Sequence, residues 1–220
     1  MILPDDYKHK KKSIDKRQDR QIKKLKKDVE RIKNAIEWKT KDVLTTAVSI
    51  TTAGYANYPM FQIARGEGND QRNGDSVSLR YGTLHITLKK STSDGSNMFR
   101  VLLVQTPSAT PATLSDILEY GDYTTDGDLV FSSPYKVKST NSEQTYKRFF
   151  DKVYEIPADK DKIVDKIKIK LPKKGKKLEF VGNGSVAPNN YNLSLLVISD
   201  SSVAPHPNVA YIMRWKYIDL

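Results

Sequence analysis

The 220-residue chain contains no cysteine, three histidines and two tryptophans. Without thiols there are no disulfide staples and no thiolate metal centres, so any core must hold by burial alone. The histidines, His9, His85 and His206, are far apart, and none has the His-x-x-x-His or Glu-flanked spacing of a zinc site. No apolar run reaches the ~20 residues a membrane-spanning helix needs, so no membrane insertion is expected. Met1-Ile2-Leu3-Pro4-Asp5-Asp6 has neither a basic start nor an apolar core, and no secretory signal is expected. The triplets Asn183-Gly184-Ser185 and Asn192-Leu193-Ser194 are accordingly chance matches to the glycosylation pattern.

Catalytic motifs are missing too. Gly66-x-Gly68 precedes a strand pattern rather than a helix, so it is not a phosphate cradle. Neither a Gly-x-Ser-x-Gly elbow nor a P-loop occurs. The 26 Asp and Glu residues show no pair that spacing singles out for acid–base work. The chain is not expected to be an enzyme, and no catalytic residue is assigned.

What the chain does have is charge at one end. Residues 1–41 hold 15 Lys+Arg against 7 Asp+Glu, a net of +8, whereas residues 42–220 hold 22 against 19, a net of +3. The chain therefore divides into a basic N-terminal arm, 1–41, and a body, 42–220. Between Lys8 and Lys27 lie eleven basic residues: Lys8, Lys10, Lys11, Lys12, Lys16, Arg17, Arg20, Lys23, Lys24, Lys26 and Lys27. Only Asp15 and Asp19 oppose them. Such a block reads either as a solvated tail or as a set of contacts to phosphates, whose counterions each pairing releases. Most of these residues are lysines, point charges suited to backbone contact rather than planar base readout. Only Tyr7 is aromatic nearby, so base stacking is not the design.

The same arm carries an apolar line, Ile22, Leu25, Val29, Ile32 and Ile36, spaced 3, 4, 3, 4. That is a helical a/d seam. Asp19–Lys23 and Glu37–Lys41 are acid-first i,i+4 pairs, and Ser13 is the expected N-cap. A seam of this kind docks on its own body or joins copies of the chain. It covers about two heptads, too few for an independent coiled coil, so copies would bundle only where an assembly brings them together.

From Val43 onward the chain reads as β-strand. Strands are expected at Val43–Thr52, Ser76–Lys90, Met98–Thr106, Val130–Val137, Thr145–Ile156, Lys162–Leu171, Leu178–Val181, Tyr191–Ser199 and Asn208–Ile218. In the second of these the apolar parity changes from Val77, Leu79 and Tyr81 to Leu84, Ile86 and Leu88, predicting a bulge at Gly82-Thr83. Met98–Thr106 is apolar on both parities, the sign of a strand covered on both faces. Thr113–Tyr120 is the one good helical stretch, stopped by Gly121. His85 should face outward between Leu84 and Ile86. Lys166, Lys168 and Lys170 alternate outward from Ile163, Ile167, Ile169 and Leu171. Pro172–Lys177 is read as a hairpin tip. The fold class is all-β, an eight-stranded antiparallel jelly roll (β-sandwich) with a basic N-terminal helical arm.

Five pieces of the body follow one another in a familiar order. They are the glycine-rich loop Ala64–Asp75, the arginine-led apolar strand Phe99-Arg100-Val101-Leu102-Leu103-Val104-Gln105, the short helix Leu114-Ser115-Asp116-Ile117-Leu118, the basic-aromatic strand Tyr146–Tyr154, and the closing Met213-Arg214-Trp215-Lys216-Tyr217-Ile218-Asp219. This order resembles the single jelly-roll capsid proteins of circular Rep-encoding single-stranded DNA viruses, which are similar in turn to satellite RNA virus coat proteins. The arm departs from the DNA-virus pattern: it is lysine-rich rather than arginine-rich, and its helix looks closer to the satellite RNA viruses.

The resemblance implies a capsid protein that self-assembles into a small icosahedral shell of about 60 copies. The eleven basic residues above would bind the packaged single strand, DNA favoured over RNA, without reading its sequence. Ile22, Leu25, Val29, Ile32 and Ile36 would join copies at a three-fold axis. The protein would reside in the virion, with the basic run serving as a nuclear address for a DNA genome. No cofactor is expected; if a structural calcium is bound, Asp70, Asp75 and Asp219 are its candidate ligands. The alternative from another class is a trimeric jelly-roll binding module with an N-terminal coiled-coil stalk, which leaves the basic excess unexplained.

Overall fold

The computed structural model describes residues 17–29, 37–57, 59–106, 112–136 and 146–220. It divides into two units, Met1–Trp38 and Lys39–Leu220. In the first, residues 17–29 form helix α1. No glycine or proline occurs from residue 5 to residue 53, and Lys, Arg, Gln and Leu, all strong helix formers, dominate residues 17–29.

The described residues of the second unit form nine strands: β1 (Lys39–Ser49), β2 (Tyr55–Asn57), β3 (Ser76–Lys89), β4 (Asn97–Thr106), β5 (Lys147–Ile156), β6 (Lys162–Ile169), β7 (Lys176–Glu179), β8 (Asn192–Ser199) and β9 (Asn208–Asp219). One sheet has the order β1-β9-β3-β6, with β7 also on β3; the other runs β2-β8-β4-β5. All of these pairings are antiparallel. β6 pairs with Gly82–Lys89 and β7 with Ser76–Leu79 of the same strand, so the two occupy one position in the sheet. Eight positions result, and the chain crosses repeatedly between the sheets until the last strand lies beside the first. That order is a jelly roll.

The core lies between the sheets. Leu84, Ile86 and Leu88 of β3, Met213, Trp215 and Tyr217 of β9, and Phe99, Val101 and Leu103 of β4 are all buried there. The ring of Phe61 meets Trp215 edge-on at 5.7 Å, and the Trp215 indole N–H donates to the Met60 carbonyl at 2.7 Å. The indole's one polar atom is thus satisfied at no cost to the burial of its ring. The other parity of β4, Leu102 and Val104, joins Leu196 and Ile198 of β8 in a second buried cluster. Ala112, Leu114, Ile117, Leu118, Val130 and Phe131 complete that cluster. The double coverage expected for β4 is therefore real: one face meets the inter-sheet core, the other a helical layer.

Three short helical turns build that layer: α2 (Leu114–Ile117), α3 (Tyr123–Asp126) and α4 (Leu129–Ser132). Thr113 caps α2 in a reciprocal capping box with Asp116, and Asp122 caps α3 by accepting from the Thr124 N–H at 2.9 Å. α2 ends at Ile117, short of the expected Tyr120, because the chain turns back and brings Gly121 against Leu114. A Cβ on Gly121 would lie 2.5 Å from the Ser115 Cα.

Several expectations need correcting. Val130–Val137 is not a strand: Val130 and Phe131 lie in α4, and Tyr135 makes an isolated β-bridge to Leu118. A short apolar run does not by itself separate strand from buried turn. Pro172–Lys177 is not a hairpin tip, since β6 and β7 run in line along β3. The bulge on β3 falls between Leu79 and Tyr81 rather than at Gly82-Thr83. There Gly175, at φ +80°, is pressed against Ser78 and Arg80 at the break between β6 and β7. β1 takes in Lys39, Thr40 and Lys41, which the charge pattern assigns to the arm, and β2 has no counterpart among the expected strands. His85 is exposed on β3, and Lys166 and Lys168 on β6, as their alternation required.

Candidate nucleic-acid interface

Helix α1 sorts its side chains by chemistry. At about 100° per residue, Arg20, Lys23, Lys24 and Lys27 share one face, and Ile22, Leu25 and Val29 project from the side roughly 180° away. Arg17 flanks the basic face and Lys26 the apolar one. Asp19 and Asp28 fall on the boundaries, so no carboxylate interrupts the cationic stripe. The three apolar side chains are exposed, Leu25 at 63 %. One helix thus presents a basic face and an exposed apolar face at the same time.

Lys8, Lys10, Lys11, Lys12 and Lys16 lie outside the described residues, as do Ser13, Ile32 and Ile36. Glu37 and Lys41 do not form a helical pair. Lys41 is in β1 and binds the Asp70 carboxylate at 2.8 Å.

In the body, Arg65, Arg72 and Asp75 of the glycine-rich loop are engaged with one another. Arg72 is fully buried, donates to the carbonyls of Gly182 (3.0 Å) and Ser185 (2.9 Å), and stacks on the Phe180 ring at 4.4 Å. It ties the loop before β3 to the loop after β7, with Asp75 at 3.4 Å as its counter-ion. Arg65 reaches the same Asp75 and the Asn183 side chain. Lys39, also buried, pairs with Asp219 at 2.9 Å and donates to the Asn73 side chain.

The three candidate calcium ligands therefore each face a cation of the same chain: Asp70 meets Lys41, Asp75 meets Arg65 and Arg72, and Asp219 meets Lys39. The Lys41 ammonium holds the Asp70 carboxyl below the usual carboxylate range. Among the described residues no group of three or more His, Cys, Asp or Glu side chains is placed to hold a metal ion.

Arg100, the arginine leading β4, is a second buried tie. Its Nε and Nη2 grip the two oxygens of Asp151 on β5 at 3.1 and 2.8 Å, and Nη1 donates to the carbonyls of Val130 and Ser133. Tyr135 donates to the same carboxylate at 2.8 Å; burial and that carboxylate push its hydroxyl pKa well up. The sequence marks Arg100 by its position but not its task, which depends on a loop some thirty residues away.

Neither a protein-family model nor a curated protein sequence matches the chain. Among solved structures, the chain is similar to Desmodium yellow mottle tymovirus at 11 % identity and TM-score 0.38, covering 83 % of this chain and 81 % of that one. It is similar to the empty head of turnip yellow mosaic virus at 10 % identity and TM-score 0.40, covering 84 % and 82 %. It is also similar to the heated full particle of Israeli acute paralysis virus at 9 % identity and TM-score 0.35, covering 81 % and 68 %. The jelly-roll assignment rests on the strand order described above. Among the described residues no helix is long and apolar enough to cross a membrane.

Proposed function

We propose that this is a viral capsid protein whose jelly-roll body assembles into a closed icosahedral shell and whose arm binds a packaged single-stranded genome. The observation that carries the reading is the joining, in one chain, of this strand order to a helix with opposed basic and apolar faces. A shell subunit needs a compact body with surfaces for repeated contacts and a means of neutralising the polyanion it encloses. In this reading the jelly-roll body serves the first need and α1 the second.

Residues 8–41 hold 15 basic and 5 acidic residues, a net of +10. About 60 arms, the T = 1 number, would offer on the order of 600 positive charges, enough to offset much of a kilobase-scale single strand. Contact is to phosphate through Lys8, Lys10, Lys11, Lys12, Lys16, Arg17, Arg20, Lys23, Lys24, Lys26 and Lys27, without sequence readout. Ile22, Leu25, Val29, Ile32 and Ile36 join copies at a three-fold axis. The resemblance to circular Rep-encoding viruses favours DNA over RNA, and supports residence in the virion with passage through the host nucleus. No catalytic step belongs to this function.

Negative-stain electron microscopy of the purified protein, with absorbance at 260 and 280 nm, tests the reading. Uniform closed shells with nucleic-acid-like absorbance are expected. Single trimers with protein-like absorbance, persisting at low salt and high concentration, would overturn it in favour of a stalked binding module.

A further inference from the structure

The two outer faces of the sandwich differ in kind. On the β2-β8-β4-β5 sheet the helical layer covers β4 and β8. The outer face of the β1-β9-β3-β6 sheet is exposed, and the register shows what it gathers. Lys162 pairs with Lys89, Lys166 with His85, and Lys168 with Thr83. On the other side of β3, Thr83 pairs with Arg214 and Tyr81 with Lys216. With strands ~4.8 Å apart and residues rising ~3.3 Å, these cations occupy a field on the order of 25 Å long and 10 Å wide.

The segment that carries β6 is strongly basic: residues 160–177 hold nine Lys against two Asp, a net of +7, whereas the remainder of residues 42–220 holds 13 Lys+Arg against 17 Asp+Glu, a net of −4. Of those nine, Lys162, Lys166 and Lys168 lie in the field, beside Lys89 of β3 and Arg214 and Lys216 of β9. Nor is the field internally neutralised. Arg214 is taken up by Asp42 at 2.6 and 2.8 Å. Lys89, Lys162, Lys166, Lys168 and Lys216 are exposed, and among the described residues none has a carboxylate partner. Unpaired like charges held on a rigid sheet repel one another, a cost that a covering polyanion relieves.

We propose that this sheet face is a second binding surface for single-stranded nucleic acid, its phosphates meeting Lys89, Lys162, Lys166, Lys168 and Lys216. The inference rests on the proposed function only in taking the ligand to be a packaged single strand. The apolar groups between the cations distinguish that ligand from a sulfated polysaccharide. Tyr81 is 37 % exposed beside Lys216, and Val164 and Ile212 are exposed within the field. Bases have flat aromatic faces to stack on such groups, whereas a sulfated chain offers only saturated sugar rings. Division of labour follows: the arm neutralises, and the sheet holds the strand against a fixed surface.

The test uses the full-length protein, a fluorescein-labelled oligo-dT strand and anisotropy titrations across a range of NaCl concentrations. For single strands the slope of log K against log salt falls by about 0.7 for each phosphate that no longer meets a cation. The triple variant Lys162→Gln/Lys166→Gln/Lys168→Gln should lower that slope by about 2, and Lys89→Gln/Lys216→Gln, on two other strands, by about 1.4. A Lys136→Gln/Lys147→Gln control, exposed elsewhere on the body, should leave it unchanged. Circular dichroism confirms that the variants remain folded. If neither sheet variant moves the slope while Lys23→Gln/Lys24→Gln/Lys27→Gln does, the sheet surface is refuted and the arm's role stands. If the unmodified protein does not bind the strand, both readings fail. If the sheet variants lose heparin binding but keep oligo-dT binding, the surface belongs to a sulfated polysaccharide and the nucleic-acid assignment is overturned.

Discussion

Trp215 lies directly across Gly82: the two are register partners on β9 and β3, and a Cβ added to Gly82 would stand 2.2 Å from the indole Cζ3. The indole is itself fixed by its bond to the Met60 carbonyl and by the Phe61 ring, so it cannot swing aside. Gly82→Ala should therefore lower the stability of the body by about 3 kcal/mol, the upper range for overpacking a rigid core. Tyr81→Ala, one residue away on the outer face, should cost far less. Urea unfolding followed by tryptophan fluorescence compares the two.

That pair also shows where sequence reading stops. The parity change between Leu79 and Leu84 is plain in the sequence and demands a bulge. Its position, at Leu79–Tyr81, lies where Gly175, nearly a hundred residues away in sequence, packs against Ser78 and Arg80 of β3. Strands with clean alternation or unbroken apolarity, such as β3, β4, β6 and β9, are legible almost to their ends. Val130-Phe131 is not, because a buried turn and a buried strand present the same short apolar run. The arm's charge and seam are visible in composition and spacing, and the opposed faces of α1 follow from both. The cationic sheet face is half visible: alternation points Lys166 and Lys168 outward, but only sheet order brings Lys89, Arg214 and Lys216 beside them.

Breaking the Arg100–Asp151 pair should be costly out of proportion to one ion pair. Arg100 is almost wholly buried, and its guanidinium also satisfies two carbonyls in and beside α4. Asp151→Asn leaves a buried cation without its counter-charge, which typically costs 3–5 kcal/mol. The loss should appear in chemical denaturation, and hydrogen exchange over residues 129–135 should rise before the rest of the body loosens. The double variant Arg100→Met/Asp151→Leu should be less damaging than the sum of the singles, since no buried charge remains.

Acid should loosen the seam between the sheets at β5 and β6. Asp165 of β6 accepts from Lys152 at 2.9 Å and from the Tyr154 hydroxyl at 2.7 Å, both on β5. Those bonds, the Lys152 one foremost, hold the Asp165 carboxyl below the usual carboxylate range. A group with a depressed folded pKa stabilises the fold above its unfolded pKa of about 3.9 and loses that contribution as pH falls through the folded value. The stability gap between the natural protein and Asp165→Asn should be full at pH 7, constant down to about pH 5, and closed below the folded pKa. Thermal unfolding across that range measures it. A gap that persists unchanged at low pH would mean that the carboxylate's charge is not what joins the strands.

The two faces of α1 should fail separately. Deleting residues 1–27 removes all eleven basic residues while leaving the Lys39–Leu220 unit whole, so a folded β body with reduced packaged nucleic acid is expected. Substituting the apolar face alone, Leu25→Lys/Val29→Lys, adds charge and so cannot weaken phosphate neutralisation. It should abolish any contact between seams, because two lysine side chains would have to be buried at each meeting of copies. Shell yield by sedimentation and the 260/280 ratio of the recovered particles read the two effects independently. Deletion lowers the ratio and, because it also removes Ile22 and Leu25 of the seam, lowers the yield as well. The seam variant lowers the yield and leaves the ratio of the remaining shells unchanged. If the seam variant assembles as well as the natural protein, Ile22, Leu25 and Val29 do not join copies, and the apolar face of α1 has another occupant.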